Sequence, residues 1–275
     1  MEEKNDAWNK VLIARDLKRS TALDYIENIF DEFMELHGDR EFKDDKSIVC
    51  GLAKIGKQNF TIIAEQKGRT TKENIERNFG MPNPESYKKA IRFMKQAEKF
   101  KRPVVTFIDT KGAYPGIGAE ERGQGEAIAR SMLTLSNLKT IVIAIVIGEG
   151  SSGGALAIGV GDKILMLENA IYSILSPEGY ASIVWKDNSR AKEAAEVMKL
   201  TADDLYKFKV IDKIIKEPEN GIQKENINIV SDKLKSYILK YVKELKDIEI
   251  NELVEARYQK FRNMGEYKME VKKWF

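Results

Sequence analysis

At 275 residues with a hydrophobic fraction of 43%, the chain has ample material for one large α/β domain or two small ones. A net charge of only +3 excludes a broad nucleic-acid footprint, and no segment reads as a cleavable leader or a membrane span. One cysteine, Cys50, and one histidine, His37, exclude an internal disulfide and leave little from which to build a zinc site or a Ser-His pair. A reducing cytoplasm is the simplest compartment.

Residues 1–20 read as polar and partly irregular. A helix is predicted from Thr21, where Thr21-x-x-Asp24 is a capping-box variant and Ile26, Ile29, Phe30, Phe33 and Met34 recur at helical spacing. His37 and Gly38 form the turn after it. Ser47 to Ile55 and Asn59 to Glu65 read as a hairpin, with Cys50 as a small buried residue. Residues 66–83 read as a basic loop carrying Lys67, Arg69, Lys72 and Arg77 toward a phosphate. An amphipathic helix follows over 84–100, its lysines solvating the outer face. Strand Val104 to Asp109, the loop Thr110 to Gly118, a helix through Leu133 and strand Ile141 to Ile147 then set a βαβα rhythm, which winds into a parallel sheet. Further strands are expected at Ile164 to Leu167, Ile171 to Leu175 and Val210 to Ile215. Helices are expected near 177–185, 189–198, 201–207 and over the C-terminal stretch 225–275. No repeat or linker divides residues 1–275, so a single domain is expected.

The chemistry concentrates in two loops. Asp109-Thr110-Lys111-Gly112-Ala113-Tyr114-Pro115-Gly116-Ile117-Gly118 follows one strand, and Gly148-Glu149-Gly150-Ser151-Ser152-Gly153-Gly154-Ala155 follows another. If the strands are neighbours, both loops lie at the carboxyl ends of the sheet, where open α/β folds bind ligands. Backbone N–H groups in a glycine turn that opens a helix suit a phosphate or a developing oxyanion. A Walker loop is excluded by the absent Gly-Lys-Ser/Thr. Gly148-x-Gly150-x-x-Gly153 matches the dinucleotide spacing, with Glu168 at the distance of a ribose-binding acid, but its strand is not the first of the fold. Gly150-x-Ser152-x-Gly154 matches the nucleophile elbow. No histidine follows it, so a hydrolase would need a Ser-Lys pair with Lys163 or another lysine.

At this point a family becomes legible. His37-Gly38-Asp39-Arg40, Gln66-Lys67-Gly68-Arg69, Arg77-Asn78-Phe79-Gly80-Met81-Pro82, Gly112-Ala113-Tyr114-Pro115-Gly116, Gly118-Ala119-Glu120-Glu121-Arg122-Gly123-Gln124, Ser152-Gly153-Gly154-Ala155-Leu156-Ala157-Ile158-Gly159 and Ser176-Pro177-Glu178-Gly179 stand in order along the chain. It resembles the carboxyltransferase alpha subunits of bacterial acetyl-coenzyme A carboxylase.

The resemblance implies an α/β fold of the ClpP/crotonase type, a spiral of ββα units with a helical C-terminal region. It implies an α2β2 heterotetramer with a beta subunit that carries the zinc, and work alongside a biotin carboxyl carrier protein and a biotin carboxylase. The implied reaction moves a carboxyl group from carboxybiotin on its carrier to acetyl-coenzyme A, giving malonyl-coenzyme A for fatty-acid synthesis. Gly153 and Gly154 would donate backbone N–H groups to the biotin enolate. Gly116, Ile117 and Gly118, with Tyr114 and Ala155, would make up the substrate-binding set, and no metal is expected in this chain. Such chemistry needs positioning and anion stabilisation rather than a side-chain base. A Ser-Lys hydrolase at Ser152, and an enoyl-coenzyme A hydratase using Glu149 and Glu178, are the rival readings. The sequence departs from the family pattern at Lys111, usually proline, at Glu65, frequently histidine, and in lacking an N-terminal helical segment many members have.

Overall fold

The computed structural model describes residues 6–218 and 221–265. Helix α1 (Asp6–Ala14) lies where irregular chain was expected. Its apolar face is narrow: Ala7, Val11 and Ala14 are buried against Ile171, Ala195 and Leu200, residues far along the chain that no local pattern reveals. Helix α2 (Ala22–Ile29) begins at Thr21, with the anticipated capping box to Asp24. It stops at Phe30. Phe33 and Met34, expected on the same helix, belong instead to strand β1 (Glu32–Glu35), which pairs antiparallel with β2 (Ile48–Ile55). Apolar residues a few positions apart fit either period, and sheet pairing decided between them.

β2 and β3 (Gln58–Glu65) form the expected hairpin. Within the stretch read as loop, α3 (Thr71–Glu76) forms one and a half turns because Thr70 and Glu73 make a reciprocal capping box. Helix α4 (Pro84–Lys99) follows. Lys89, expected on its solvated face, is buried, donating to Asp44 Oδ1 and Asp45 O at 2.7 Å each. The chain continues through β4 (Val104–Thr110), α5 (Ile117–Glu121), α6 (Gln124–Ser136), β5 (Val142–Ser151), α7 (Ser152–Leu156), β6 (Lys163–Leu167) and β7 (Ile171–Ser173). Then come α8 (Pro177–Tyr180), α9 (Ala191–Val197), α10 (Ala202–Lys207), β8 (Lys213–Ile215), α11 (Asn228–Leu245) and α12 (Ile250–Arg262). The C-terminal helical region is thus two helices, broken at 246–249, and residues 266–275 lie outside those described.

The sheet order is β1-β2-β3-β4-β5-β6-β8. β1 to β3 run antiparallel, and from β3 onward each pair is parallel. β4 and β5 lie mid-sheet, buried along their full length, and therefore read as continuous Val/Ile runs. β5 outlasts β6, and its last residues Glu149 to Ser151 pair with β7 instead. Helix α12 is pinned to the opposite, amino end of this sheet by Arg257. That buried guanidinium bonds both carboxylate oxygens of Asp162 (2.8 and 2.9 Å) and the carbonyls of Leu135, Leu138 and Thr140.

Candidate functional site

β4 and β5 are parallel neighbours, so the two glycine loops leave the sheet side by side at its carboxyl edge. The pairing between them carries a step. Ile108 faces Val146, yet Thr110 faces Gly150, so β5 runs four residues where β4 runs two. Side chains absorb the surplus: Glu149 N–H donates to Asp109 Oδ1 (2.9 Å), and Arg19 Nε donates to the carbonyl of Ile147 (2.9 Å). The Asp109 carboxylate occupies the space a side chain at Gly148 would need, and the Tyr172 ring does the same at Gly150. Gly148 and Gly150, expected in a turn, are therefore strand residues required by close approach. With them in strand, the dinucleotide turn cannot form, and Glu168 pairs with Lys216.

The chain reverses at Ser152, whose φ of 58° is left-handed, and α7 starts there. The first amides of a helix lack intrahelical partners. Among the described residues no acceptor meets the N–H of Gly153 or Gly154. Gly154 is pressed against the other loop: a β-carbon at 154 would lie 2.7 Å from Ala113 N and 2.8 Å from the Gly112 carbonyl carbon. Gly112, with φ of 130°, takes a conformation open to glycine alone. Thr110 Oγ1 holds this loop, accepting from Gly112 N–H (3.0 Å) and lying 2.6 Å from Gly80 O.

The predicted site residues are thus only partly brought together. Gly153, Gly154 and the buried Ala155 form the turn and first residues of α7. The loop residues packed on them are Gly112 and Ala113. Gly116, Ile117 and Gly118 stand further out, where Gly116 caps α5 and Ile117 is 79% exposed. Tyr114 is half-buried, its ring against Gly116 and its carbonyl accepting from Gln124 Nε2 at 3.0 Å.

Two cavities flank the turn. One, of about 380 Å³, is apolar and reaches Ser152, Gly153, Leu156, Tyr172, Ile174 and Phe261. The other, of about 540 Å³, is charged and reaches Arg15, Lys67, Asp109, Lys111, Glu149 and Ser151. Lys67 Nζ lies 2.5 Å from Asp109 Oδ1 and 3.3 Å from Glu149 Oε2. Arg15 bonds Glu149 Oε1 and Glu178 Oε1, both at 2.7 Å. Burial by itself pushes the Glu149 carboxyl up, but Lys67 and Arg15 together hold it below the usual range. Burial likewise opposes the Lys67 ammonium, which Asp109 and Glu149 nevertheless raise. Arg69 pairs with Asp24, and Arg77 donates to Lys46 O (2.7 Å). Of the four basic residues expected at a phosphate, Arg69 and Arg77 are therefore engaged elsewhere in the chain, and Lys67 is the one that lines the cavity. Sequence reasoning missed Arg15, because the helix that delivers it was unseen.

The rival chemistries lose their groups. Ser152 stands at the carboxyl end of β5, whereas Lys163 pairs with Ile143 near its start, roughly 25 Å away at 3.3 Å per residue. Lys163 Nζ lies over the Tyr241 ring instead. Glu149 and Glu178, both held below the ordinary carboxyl range, share Arg15 and are not poised as a hydratase acid. Burial pushes the Cys50 thiol up to about 12, so it is no nucleophile. His37 is exposed, 3.3 Å from Asp44. No group of metal-binding side chains occurs among the described residues, and no helix of theirs is long and apolar enough to cross a membrane.

What the geometry offers is two adjacent amides with unspent hydrogens and no poised base. The sequence profile of acetyl co-enzyme A carboxylase carboxyltransferase-like proteins matches residues 2–265. The chain belongs to this family. The acetyl-coenzyme A carboxylase carboxyl transferase subunit alpha of Clostridium perfringens is 60% identical over 94% of this chain and 95% of its own length. That of Alkaliphilus oremlandii is 56% identical over 98% of this chain and 84% of its own. A Clostridium tetani protein named as subunits beta/alpha is 56% identical over 98% of this chain, which spans 46% of it. Among solved structures, a Pseudomonas malonate decarboxylase hetero-tetramer in complex with coenzyme A aligns with a TM-score of 0.69 at 12% identity, over 86% of this chain and 92% of that one. A transcarboxylase 12S core aligns with a TM-score of 0.66 at 18% identity, over 87% of this chain and 45% of that one. These likenesses are of fold: the chain has the crotonase-type α/β architecture of the carboxyltransferases.

Proposed function

We propose that this chain is the alpha half of an acetyl-coenzyme A carboxylase carboxyltransferase, acting in the cytoplasm with a beta subunit, a biotin carrier protein and a biotin carboxylase. The observation that carries this is the pair of unpartnered amides at Gly153 and Gly154 in a member of that family. Carboxybiotin on its carrier would supply the carboxyl group, and the biotin anion left behind the base for the acetyl methyl. The chain's own contribution is to donate the Gly153 and Gly154 N–H groups to the ureido oxygen on which negative charge develops. Fixed donors of this kind are worth about 3 kcal/mol each to a transition state.

The apolar cavity at Gly153 suits the ring body of biotin, and the Gly112–Ala113 segment holds the turn in place. Tyr114, Gly116, Ile117 and Gly118 then frame the approach rather than the oxyanion itself. The fused beta/alpha relative supports a beta subunit as the partner, and any zinc would belong to that subunit.

A carboxylation assay with carboxylated biotin derivatives as donors tests this. The chain alone is expected to yield no malonyl-coenzyme A, and addition of a beta subunit is expected to restore turnover. Malonyl formation by the chain alone would remove the partner requirement, and no turnover with the partner present would remove the activity.

A further inference from the structure

The same glycine turn depends on a register step at which β5 loses its regular pairing with β4. β5 gains its extra residues opposite Asp109, and one atom, Asp109 Oδ1, accepts both from Glu149 N–H, at 2.9 Å, and from Lys67 Nζ, at 2.5 Å. We propose that Lys67 is a positioning residue for the carboxyl transfer: by bridging Asp109 and Glu149 it fixes the step that aims the Gly153 and Gly154 amides. The inference rests on the functional reading above and adds a residue to it.

Lys67 is placed for this and for little else. It leaves β3 just past Glu65, and its side chain is 17% exposed. The two carboxylates it joins belong to neighbouring strands and are 7% and 5% exposed. Arg15 reaches only Glu149 and shares itself with Glu178. Of these two cations, Lys67 is the one that meets a carboxylate on each strand. Its stem packs against Gly80, where a β-carbon would lie 2.7 Å from Lys67 Cγ. Gly80 O in turn receives Thr110 Oγ1, the hydroxyl that holds Gly112. The ammonium and its stem therefore reach both loops of the site without facing the unpaired amides.

Without this cation, Glu149 keeps Arg15, and Asp109 is left to the through-space charge of Arg19. One of the two carboxylates then takes up a proton or swings away, and Asp109 releases Glu149 N–H. The groups that face the vacancy are Asp109 from β4, Glu149 from β5, Arg15, Asp16 and Arg19 beyond α1, Glu178 from α8, Glu65 through Asp109 N–H, and Lys111 in the same cavity.

The experiment measures kcat and KM for acetyl-coenzyme A from pH 6 to 9 for the wild type, K67M and K67R, each with the beta subunit. Displacement of the turn by about 1 Å is expected to lower kcat of K67M about 100-fold, with KM within about threefold. K67M should also show a new loss of activity as pH rises, because a shared proton holds the carboxylate pair together only at low pH. K67R should recover kcat to within about tenfold of wild type and lack that slope. Wild-type kcat in K67M overturns the proposal. So does a fall of kcat with no pH slope and no recovery in K67R, which would be the signature of general loosening. If K67M does not fold, K67R decides alone: near-wild-type kcat and pH profile support the role, and a loss as large as about 100-fold overturns it. An inactive wild-type complex would instead strike the functional reading itself.

Discussion

A β-carbon on Gly148 would fall on the carboxylate of Asp109 across the β4–β5 pair, so glycine at one position and aspartate at the other are a single requirement. Asp109 Oδ1 stands where it can take Glu149 N–H only because residue 148 has no side chain. Overpacking a site of this kind costs about 1–3 kcal/mol. G148A is therefore expected to lower the unfolding free energy measured in urea by that amount and to lower activity with it. G125A is the control: it lies in α6 with nothing within 4 Å of a new β-carbon, and alanine there should leave stability unchanged or raise it by up to about 1 kcal/mol. Equal effects from the two would contradict the crowding at 148.

The adjacent glycines 153 and 154 should respond differently to the same substitution. A β-carbon at 153 would lie 3.4 Å from Ile128 Cγ2, an ordinary contact with a movable side chain, whereas at 154 it would lie 2.7 Å from the backbone nitrogen of Ala113. Alanine keeps the amide in both. G153A is expected to retain activity within about tenfold, and G154A to lose about 100-fold by pushing the two loops apart. A larger loss in G153A would mean that the space above Gly153, rather than the seating of Gly154, limits the reaction.

Removing Arg257 should destabilise strongly. Its partner Asp162 is 4% exposed, and the carbonyls of Leu135, Leu138 and Thr140 would lose their donor. Breaking a buried pair from one side costs about 3–5 kcal/mol. R257M is expected to fall in that range by chemical denaturation, and R257M/D162N to recover part of it. A double variant no better than R257M would show that the carbonyl bonds, not the charge pair, dominate.

Glu65 gives a pH-dependent test. It is fully buried, accepts from Asp109 N–H at 3.0 Å through Oε2, and leaves Oε1 without a partner. Burial, followed by the neighbouring Asp109 charge, drives its carboxyl well above the usual range. A carboxyl raised on folding is held most favourably when protonated. Its contribution is full below the unfolded value of about 4.3 and is lost as pH climbs from there toward the folded value. E65Q keeps the acceptor and removes the charge. It should equal or exceed wild-type stability at pH 7, with the gap closing as pH is lowered to 5. An E65Q protein less stable than wild type at pH 7 by more than about 1 kcal/mol would show that the ionised carboxylate is structural.

Much of the architecture was legible along the chain. The hairpin, α4, the parallel pair β4 and β5, and the two loops at their carboxyl ends followed from hydrophobic runs and glycine clusters. Buried parallel strands and tight exits carry local signatures. α1, α3 and β1 were not legible. Four to nine residues with little apolar pattern fit several structures, and distant partners such as Ile171 and Leu200 for α1 made the choice.

The family and the glycine loops were readable from the residues themselves, and the resemblance pointed to the amides of Gly153 and Gly154, because backbone donors need only glycine, strand and helix in the right order. The tertiary structure decided that Gly148 and Gly150 belong to the strand, that Gly112 and Ala113 rather than Gly116 to Gly118 seat the turn, and that Lys67 faces carboxylates. Those outcomes depend on which side chains meet across β4 and β5, and a register step of that kind leaves no trace in either strand read alone.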